Sequence, residues 1–218
     1  MLKFYYNPIS SNACRVWIAL LEKQIPFEPI PVKLDGDQFD PEFTAVNPLQ
    51  RVPVIIDHDF QVIESLAILD YLEAKYPRPA LMPSQPEAIA KVRMVEMLVV
   101  NELQSAMLLL TRHFLGIEVA QQQLDVAQTR IIAVLQFFEN LLDRRLYIVG
   151  DTFTQADIVG GIAVFSLGQM GIDFNNYPGL KAWSERLAQR DSWQQTQPSP
   201  EAIQAALPNV RKILMQRF

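Results

Sequence analysis

Cysteine is nearly missing from this chain of 218 residues, where Cys14 stands alone. One thiol cannot close an internal disulfide, and nothing points to an oxidising compartment. Histidine is almost as scarce, with only His58 and His113, and neither is assigned a role. Two separated histidines and one cysteine argue against a dedicated zinc site, so no metal is expected. No block of basic residues occurs, and 19 Lys and Arg against 24 Asp and Glu leave a net charge of −5. That balance argues against a nucleic-acid partner. Long apolar runs are also missing. The longest, Ile158 to Phe165, has eight residues, well short of the ~20 that span a bilayer as a helix. Met1–Pro8 carries no apolar run of a secretory leader. The expected location is the cytoplasm, with no membrane partner. No repeat period is visible.

What is there divides into two characters. Leu2–Tyr6 is a short β-prone run ended by Asn7-Pro8. Ala13, Val16, Trp17, Leu20 and Leu21 then recur at three- and four-residue spacing and predict an amphipathic helix. Phe27–Val32 contains Pro29 and Pro31 and predicts an edge strand. Asp35-Gly36-Asp37 is a turn signal. Val52–Ile56 and Phe60–Ile63 flank Asp57-His58-Asp59 as a hairpin, and Leu66, Leu69, Leu72 and Tyr76 mark a further helix. The predicted order is β-α-β-(short α)-β-β-α. Pro77, Pro79, Pro83 and Pro86 then punctuate a linker, after which only helical stripes follow. These run Ile89 to Phe114, Leu124 to Leu141, Ile158 to Phe165 with Gly160-Gly161 inside, and Leu180 to Leu187. Mid-helix glycines cost about 1 kcal/mol each against alanine, a cost usually offset by close helix–helix approach.

Three local features of the first half could carry chemistry. Asn7-Pro8-Ile9-Ser10-Ser11-Asn12 joins a strand to a helix start. Ser and Asn are natural helix caps there. The same geometry offers amides and a partial positive charge to an anion, and a hydroxyl beside them can donate to a thiolate. Arg51-Val52-Pro53-Val54 puts a proline where a strand opens. It reads either as a plain edge-strand proline or as a cis bond that turns the Val52 N–H and C=O outward toward an extended peptide. In Glu64-Ser65, Ser65 is the expected helix cap. The pair either only caps the helix or holds both charges of an α-amino-acid end. Cys14 reads as a small core residue.

The order and spacing of these features resemble one family. Strand–Ser–helix, then Asn47-Pro48-x-x-Arg51-Val52-Pro53-Val54, then Glu64-Ser65-x-x-Ile68-x-x-Tyr71-Leu72 is similar to the glutathione-binding domain of the cytosolic glutathione transferases, serine-type and zeta-, theta- or phi-like. Gly150-Asp151-Thr152-Phe153-Thr154-Gln155-Ala156-Asp157-Ile158 resembles that family's helical-domain capping motif, with Thr154 and Asp157 as a capping box. The resemblance runs to about residue 195. It implies a thioredoxin-like glutathione-binding domain over 1–78, a linker over 79–86 and an all-helical domain over 87–218.

For the site, the resemblance implies that Val52, before a cis Pro53, pairs with the cysteinyl part of glutathione. Glu64 and Ser65 would hold the γ-glutamyl end. Gln38 and Arg51 fall where serine-type classes contact the glycyl or central part. Ser10 falls at the catalytic serine, with Ser11 and Tyr6 as alternatives, and Ser11 as the better-placed helix cap. The zeta-like Ser-Ser-Cys pattern is broken at Asn12, which tells against that class's isomerase reaction. A second-substrate pocket would draw on Met107, Leu110, Thr111, Phe114, Phe165 and Met170, each of which also reads as bundle core. The implied activity is conjugation of the glutathione thiolate to small apolar electrophiles, with glutathione as co-substrate, no further cofactor and a homodimeric assembly. The alternatives are a non-catalytic binding or regulatory protein on the same fold and a storage protein for apolar ligands.

Overall fold

The computed structural model of the chain describes every residue except Leu34 and Phe218, and the backbone alone of Gln216 and Arg217. Leu34 and Phe218, which the two expected domains include, thus lie outside the described residues. Two compact units are present. The first is Met1–Ala80 with Asp191–Ile213, and the second is Leu81–Arg190 with the chain from Leu214 onward.

In the first unit the elements come in the predicted order: β1 (Leu2–Tyr6), α1 (Ser11–Glu22), β2 (Phe27–Pro31), a 3₁₀ turn at Asp37–Phe39, α2 (Pro41–Val46), β3 (Val54–Asp57), β4 (Phe60–Ile63) and α3 (Ser65–Lys75). The sheet order is β2-β1-β3-β4. β2 runs parallel to β1, whereas β3 is antiparallel to both β1 and β4. The proline-bearing β2 is an edge strand, as its missing N–H donors require. Alternation along β1 splits its side chains between two layers. Phe4 stacks on Tyr6 at 5.2 Å, and Tyr6 meets Trp17 of α1 at 4.8 Å. Tyr5 points the other way, onto a cluster of Val32, Phe43 and Val54.

The sequence reading placed 87–218 in one helical domain. In the structure Asp191–Ile213 groups with the first unit instead. This segment holds α9 (Asp191–Thr196) and most of α10 (Pro200–Arg217). The reason is specific packing on α1: the Ser192 hydroxyl donates to Glu22, and the Cys14 thiol lies 3.9 Å from the Thr196 carbonyl oxygen. Lys23 is buried and closes the far end of α1. Its ammonium donates to the Tyr76 and Pro79 carbonyls at 2.7 and 2.8 Å and pairs with Glu73 at 2.7 Å.

At the β3–β4 hairpin, Asp57 accepts hydrogen bonds from Lys75 at 2.5 Å and Tyr71 at 3.0 Å. Burial pushes its carboxyl up, but the bonds from Lys75 and Tyr71 and the Lys75 charge pull it further, to below the ordinary carboxylate value. A depressed native value means stability that is present above the unfolded-state pKa, ~3.9, and is lost as pH falls through the lower native one. Asp57→Asn should therefore flatten the acid-side fall in melting temperature. Reading the variant as a difference from the parent across pH 5 to 2 cancels the other carboxylates. Parallel curves would assign Asp57 no part in acid stability.

In the second unit, α4 (Pro86–Leu98), a π-helical turn (Val99–Leu103) and α5 (Gln104–Phe114) form one continuous helix. α6 (Gln121–Leu142), α7 (Gln155–Gln169) and α8 (Pro178–Ala188) follow. By length and composition alone the Pro86–Phe114 helix is apolar enough to cross a membrane, which the count of unbroken apolar residues does not show, and 28% of its most apolar stretch is buried within the chain. α7 is the central helix of this unit, buried from Gln155 through Val164. Gly160 explains part of the cost of placing glycine there. A Cβ at that position would lie 3.3 Å from both Ile148 Cδ1 and Val95 Cγ1, so a larger residue would push its neighbours away.

The start of α7 is fixed by Asp157, which is fully buried. One carboxylate oxygen accepts from the Ile148 N–H at 3.0 Å and the Trp183 indole N–H at 2.9 Å. The other accepts from the Thr154 N–H at 2.9 Å and the Thr154 hydroxyl at 3.1 Å. The expected pairing of Thr154 with Asp157 is present, and it extends to the 148 loop and to α8.

Candidate functional site

The strand registers bring the three sequence features to one end of the sheet. Tyr5 pairs with Val54, Val54 with Ile63, and Tyr6 with Pro31. The chain therefore leaves β1 toward Ser10, leaves β2 toward Gln38, enters β3 through Arg51-Val52-Pro53 and leaves β4 into Glu64-Ser65 at the same sheet end. α1 and α3 both start there, each presenting first-turn amides that have no partner within the helix.

Two Asn-Pro pairs shape the loops, a role the sequence reading did not assign them. The Asn7 side chain accepts from the Ile9 N–H at 3.0 Å and donates to the Val32 carbonyl at 2.8 Å. Asn47 repeats the arrangement, accepting from the Leu49 N–H at 3.0 Å and donating to the Arg51 carbonyl at 2.7 Å. The signal was available in the sequence, because Asn readily hydrogen-bonds the backbone two residues on.

Ser10, not Ser11, caps α1. Its backbone is extended, its hydroxyl oxygen accepts the Ala13 N–H at 3.3 Å, and Ser11 is the first helical residue. This corrects the expectation that Ser11 is the cap; the helix begins one residue earlier than that expectation requires. A hydroxyl has one proton and two lone pairs, so a capping Ser10 keeps its proton to give. Tyr6 is half-buried between Phe4 and Trp17, which makes its ring a packing element. Cys14 lies in the core one turn on. Burial pushes its thiol up to about 12, against a smaller downward pull from the Arg15 charge, so it is no thiolate at neutral pH.

Val52–Pro53 is cis. The Val52 side chain packs on the Val32–Phe43–Val54 cluster, and its backbone makes none of the turn, loop or cap hydrogen bonds of the described residues. A second cis bond, Arg78–Pro79, falls in the linker and was not anticipated. Arg51 is exposed. Gln38 is buried in the 3₁₀ turn, where its amide oxygen accepts from the Gly36 N–H at 3.2 Å.

The cap of α3 is Glu64, not Ser65, which again corrects the expectation. Glu64 adopts φ 67°, ψ 121°, a region that costs a non-glycine residue about 1–3 kcal/mol and tends to persist at functional sites. Its carboxylate side is exposed. Ser65 becomes the first helical residue, is buried, and accepts a hydrogen bond from Arg15 at 3.4 Å.

In the second unit the six pocket candidates fall on α5, on α7 and at the end of α7. Thr111 joins them, its hydroxyl donating to the Met107 carbonyl at 2.7 Å and lying 4.0 Å from the Met170 sulfur. None is bundle core: Met107, Leu110, Thr111, Phe165 and Met170 are half-buried, and Phe114 is 64% exposed.

A thioredoxin-like unit in which the Ser10 cap, the cis Val52–Pro53 bond and Glu64-Ser65 converge at one sheet end, on a chain that continues into a helical unit, defines the class of fold. Comparison with known proteins narrows it. Residues 4–80 match the family description "Glutathione S-transferase, N-terminal domain", and residues 98–191 match "Glutathione S-transferase, C-terminal domain". The chain is 32% identical over 194 residues to the maleylacetoacetate isomerase of Rattus norvegicus, covering 87% of this chain and 88% of that one. It is 32% identical over 207 residues to glutathione S-transferase 3 of Zea mays, covering 89% and 92%. Among solved structures it is similar to human glutathione-S-transferase T1-1 in its apo form, with a TM-score of 0.82 and 26% identity over 99% of each chain. The chain belongs to the glutathione S-transferase family, a family of enzymes.

Proposed function

We propose that this chain conjugates the thiolate of glutathione to small apolar electrophiles, in the cytoplasm, as a detoxifying enzyme. The observation that carries this reading is the convergence of the Ser10 cap, the cis Val52–Pro53 edge and the Glu64-Ser65 pair at one end of the sheet. Glutathione is an extended γ-glutamyl peptide. Val52 offers its backbone to the cysteinyl part, Ser65 and the α3 amides take the γ-glutamyl carboxylate, and the Glu64 carboxylate takes the amine. Arg51 and the Gln38 amide reach the glycyl side. The cysteinyl sulfur then lies at the start of α1, where the Ser10 proton and the helix dipole stabilise the thiolate. Met107, Leu110, Thr111, Phe114, Phe165 and Met170 supply an apolar, sulfur-rich surface of the second unit for the electrophile.

Ser65 tests the glutathione half directly. Losing a hydrogen bond to a charged group costs about 1.5–3 kcal/mol. Ser65→Ala should therefore raise the Michaelis constant for glutathione roughly ten- to a hundredfold and leave that for the electrophile unchanged. An equal rise for both substrates would refute the assignment.

A second reading draws on the resemblance to the rat isomerase. Isomerisation by addition and elimination of the same thiolate needs the same Ser10 site, but Asn12 stands where the zeta-like pattern has cysteine. Assaying a chlorinated nitroaromatic and maleylacetoacetate side by side separates the two. Turnover of maleylacetoacetate alone would favour isomerisation. Retention on immobilised glutathione with no turnover of either would favour a binding protein.

The chain is proposed to be a homodimer. Met94 and Met97 of α4 are 42% and 44% exposed, in a helix whose apolar window is mostly uncovered. Such a face is characteristically closed by a second copy about a two-fold axis. Light scattering at micromolar concentration should give a mass near twice the 24.9 kDa chain. A single-chain mass would refute the dimer.

A further inference from the structure

Arg15 is an unusual residue for the interior of α1. It follows Cys14, is 4% exposed, and donates from Nη1 to the Ser65 hydroxyl oxygen at 3.4 Å. This contact links α1, which Ser10 caps, to α3, which Glu64 caps and Ser65 begins. A guanidinium has five N–H donors and no acceptor. A hydroxyl facing it can only accept, so the Ser65 proton must leave on another side. Ser65 is the first residue of α3, where the amides of the first turn and the helix dipole already favour negative charge. A buried cation one residue's reach behind that hydroxyl adds to the field, since charges act more strongly away from water.

We propose that Arg15 is a positioning residue for glutathione: it sets the Ser65 hydroxyl as a donor toward the γ-glutamyl carboxylate and adds positive charge behind it. This rests on the reading that Ser65 receives that carboxylate. The alternative is that Arg15 only fills and pins the core between α1 and α3, in which case its removal would weaken every ligand of the folded protein alike.

The test measures binding of two ligands by titration calorimetry. One is glutathione. The other is 4-aminobutyryl-cysteinylglycine, in which hydrogen replaces the γ-glutamyl α-carboxylate. Arg15→Met should weaken glutathione about tenfold, the scale of a lost charge-assisted contact, and change the analogue less than about twofold. The electrophile's Michaelis constant should not move. Arg15→Lys keeps the charge but not the planar fork, and should restore part of the preference for glutathione. In the Ser65→Ala background, Arg15→Met should add little, because coupled residues are not additive.

Equal weakening of both ligands, or full additivity with Ser65→Ala, overturns the proposal. If the methionine variant does not fold, the lysine variant decides, since a preference identical to the parent's overturns it as well. The two levels separate cleanly. If Ser65→Ala abolishes the preference while the Arg15 variants keep it, only the role of Arg15 falls. If Ser65→Ala itself leaves the preference intact, the carboxylate site falls, and the role of Arg15 with it.

Discussion

Ser10→Ala should slow glutathione conjugation by about 10²–10³, the usual cost of removing one preorganised donor from a developing or bound anion. The same change should move the pH–rate profile upward, toward the ordinary thiol pKa of ~8.5, while glutathione still binds. The structure adds a second effect, because Ser10 is also the cap of α1. Losing it should cost about 1 kcal/mol of stability, or roughly 2–4 °C in melting temperature for a chain of this size. The two roles can be pulled apart. Ser10→Gly costs only a few tenths of a kcal/mol as a cap, so it should recover most of the melting temperature and none of the rate. If Ser10→Ala keeps the parent profile while Tyr6→Phe or Ser11→Ala abolishes activity, the donor is misassigned. If none of the three matters, the amides and dipole of α1 alone activate the thiol.

Asp157→Ala should be the most destabilising single substitution discussed for this chain. Its carboxylate is the acceptor for three N–H groups and one hydroxyl drawn from the 148 loop, the start of α7 and α8. Burial pushes this carboxyl above its ordinary value, and the four donors only partly offset that. Alanine would remove the charge and leave buried donors unmatched, at about 1–3 kcal/mol for each unsatisfied group. A loss of about 3–5 kcal/mol is a large share of a typical 5–15 kcal/mol stability and should lower the melting temperature by on the order of 10 °C. Trp183→Phe, which removes one donor and leaves the carboxylate three, should cost only ~1 kcal/mol. Calorimetry of the two variants checks the hub directly. If Asp157→Ala costs no more than Trp183→Phe, the carboxylate is not what joins these segments.

How far the site was legible can be judged residue by residue. The motif order located Ser10, Val52-Pro53 and Glu64-Ser65, because each lies at a strand–helix junction announced by local turn chemistry. The exact caps were not legible. Ser10 and Ser11 are equally good caps by composition, and only the helix start in the folded chain separates them. Nothing local marks Glu64 for a positive φ, since that conformation is imposed where β4 turns into α3. Arg15 reads in the sequence as one more polar helix residue. Its burial depends on α3 packing over α1, 50 residues away in the chain. α9 was missed for the same reason. Its six residues carry too little periodicity, and Cys14 and Glu22 that receive it are far upstream.

By itself the sequence determined the element order, the β-to-helical change of character near the proline-rich linker, the impossibility of a disulfide within the chain and the family. These follow from periodicity, proline and capping chemistry, which act within a few residues. Tertiary structure alone decided which serine caps α1, which residue caps α3, where the last helices belong, and that Arg15 and Asp157 become buried charges with partners from other elements. Those outcomes depend on which surfaces meet once strands pair and helices pack, and burial is a property of the meeting, not of the residue.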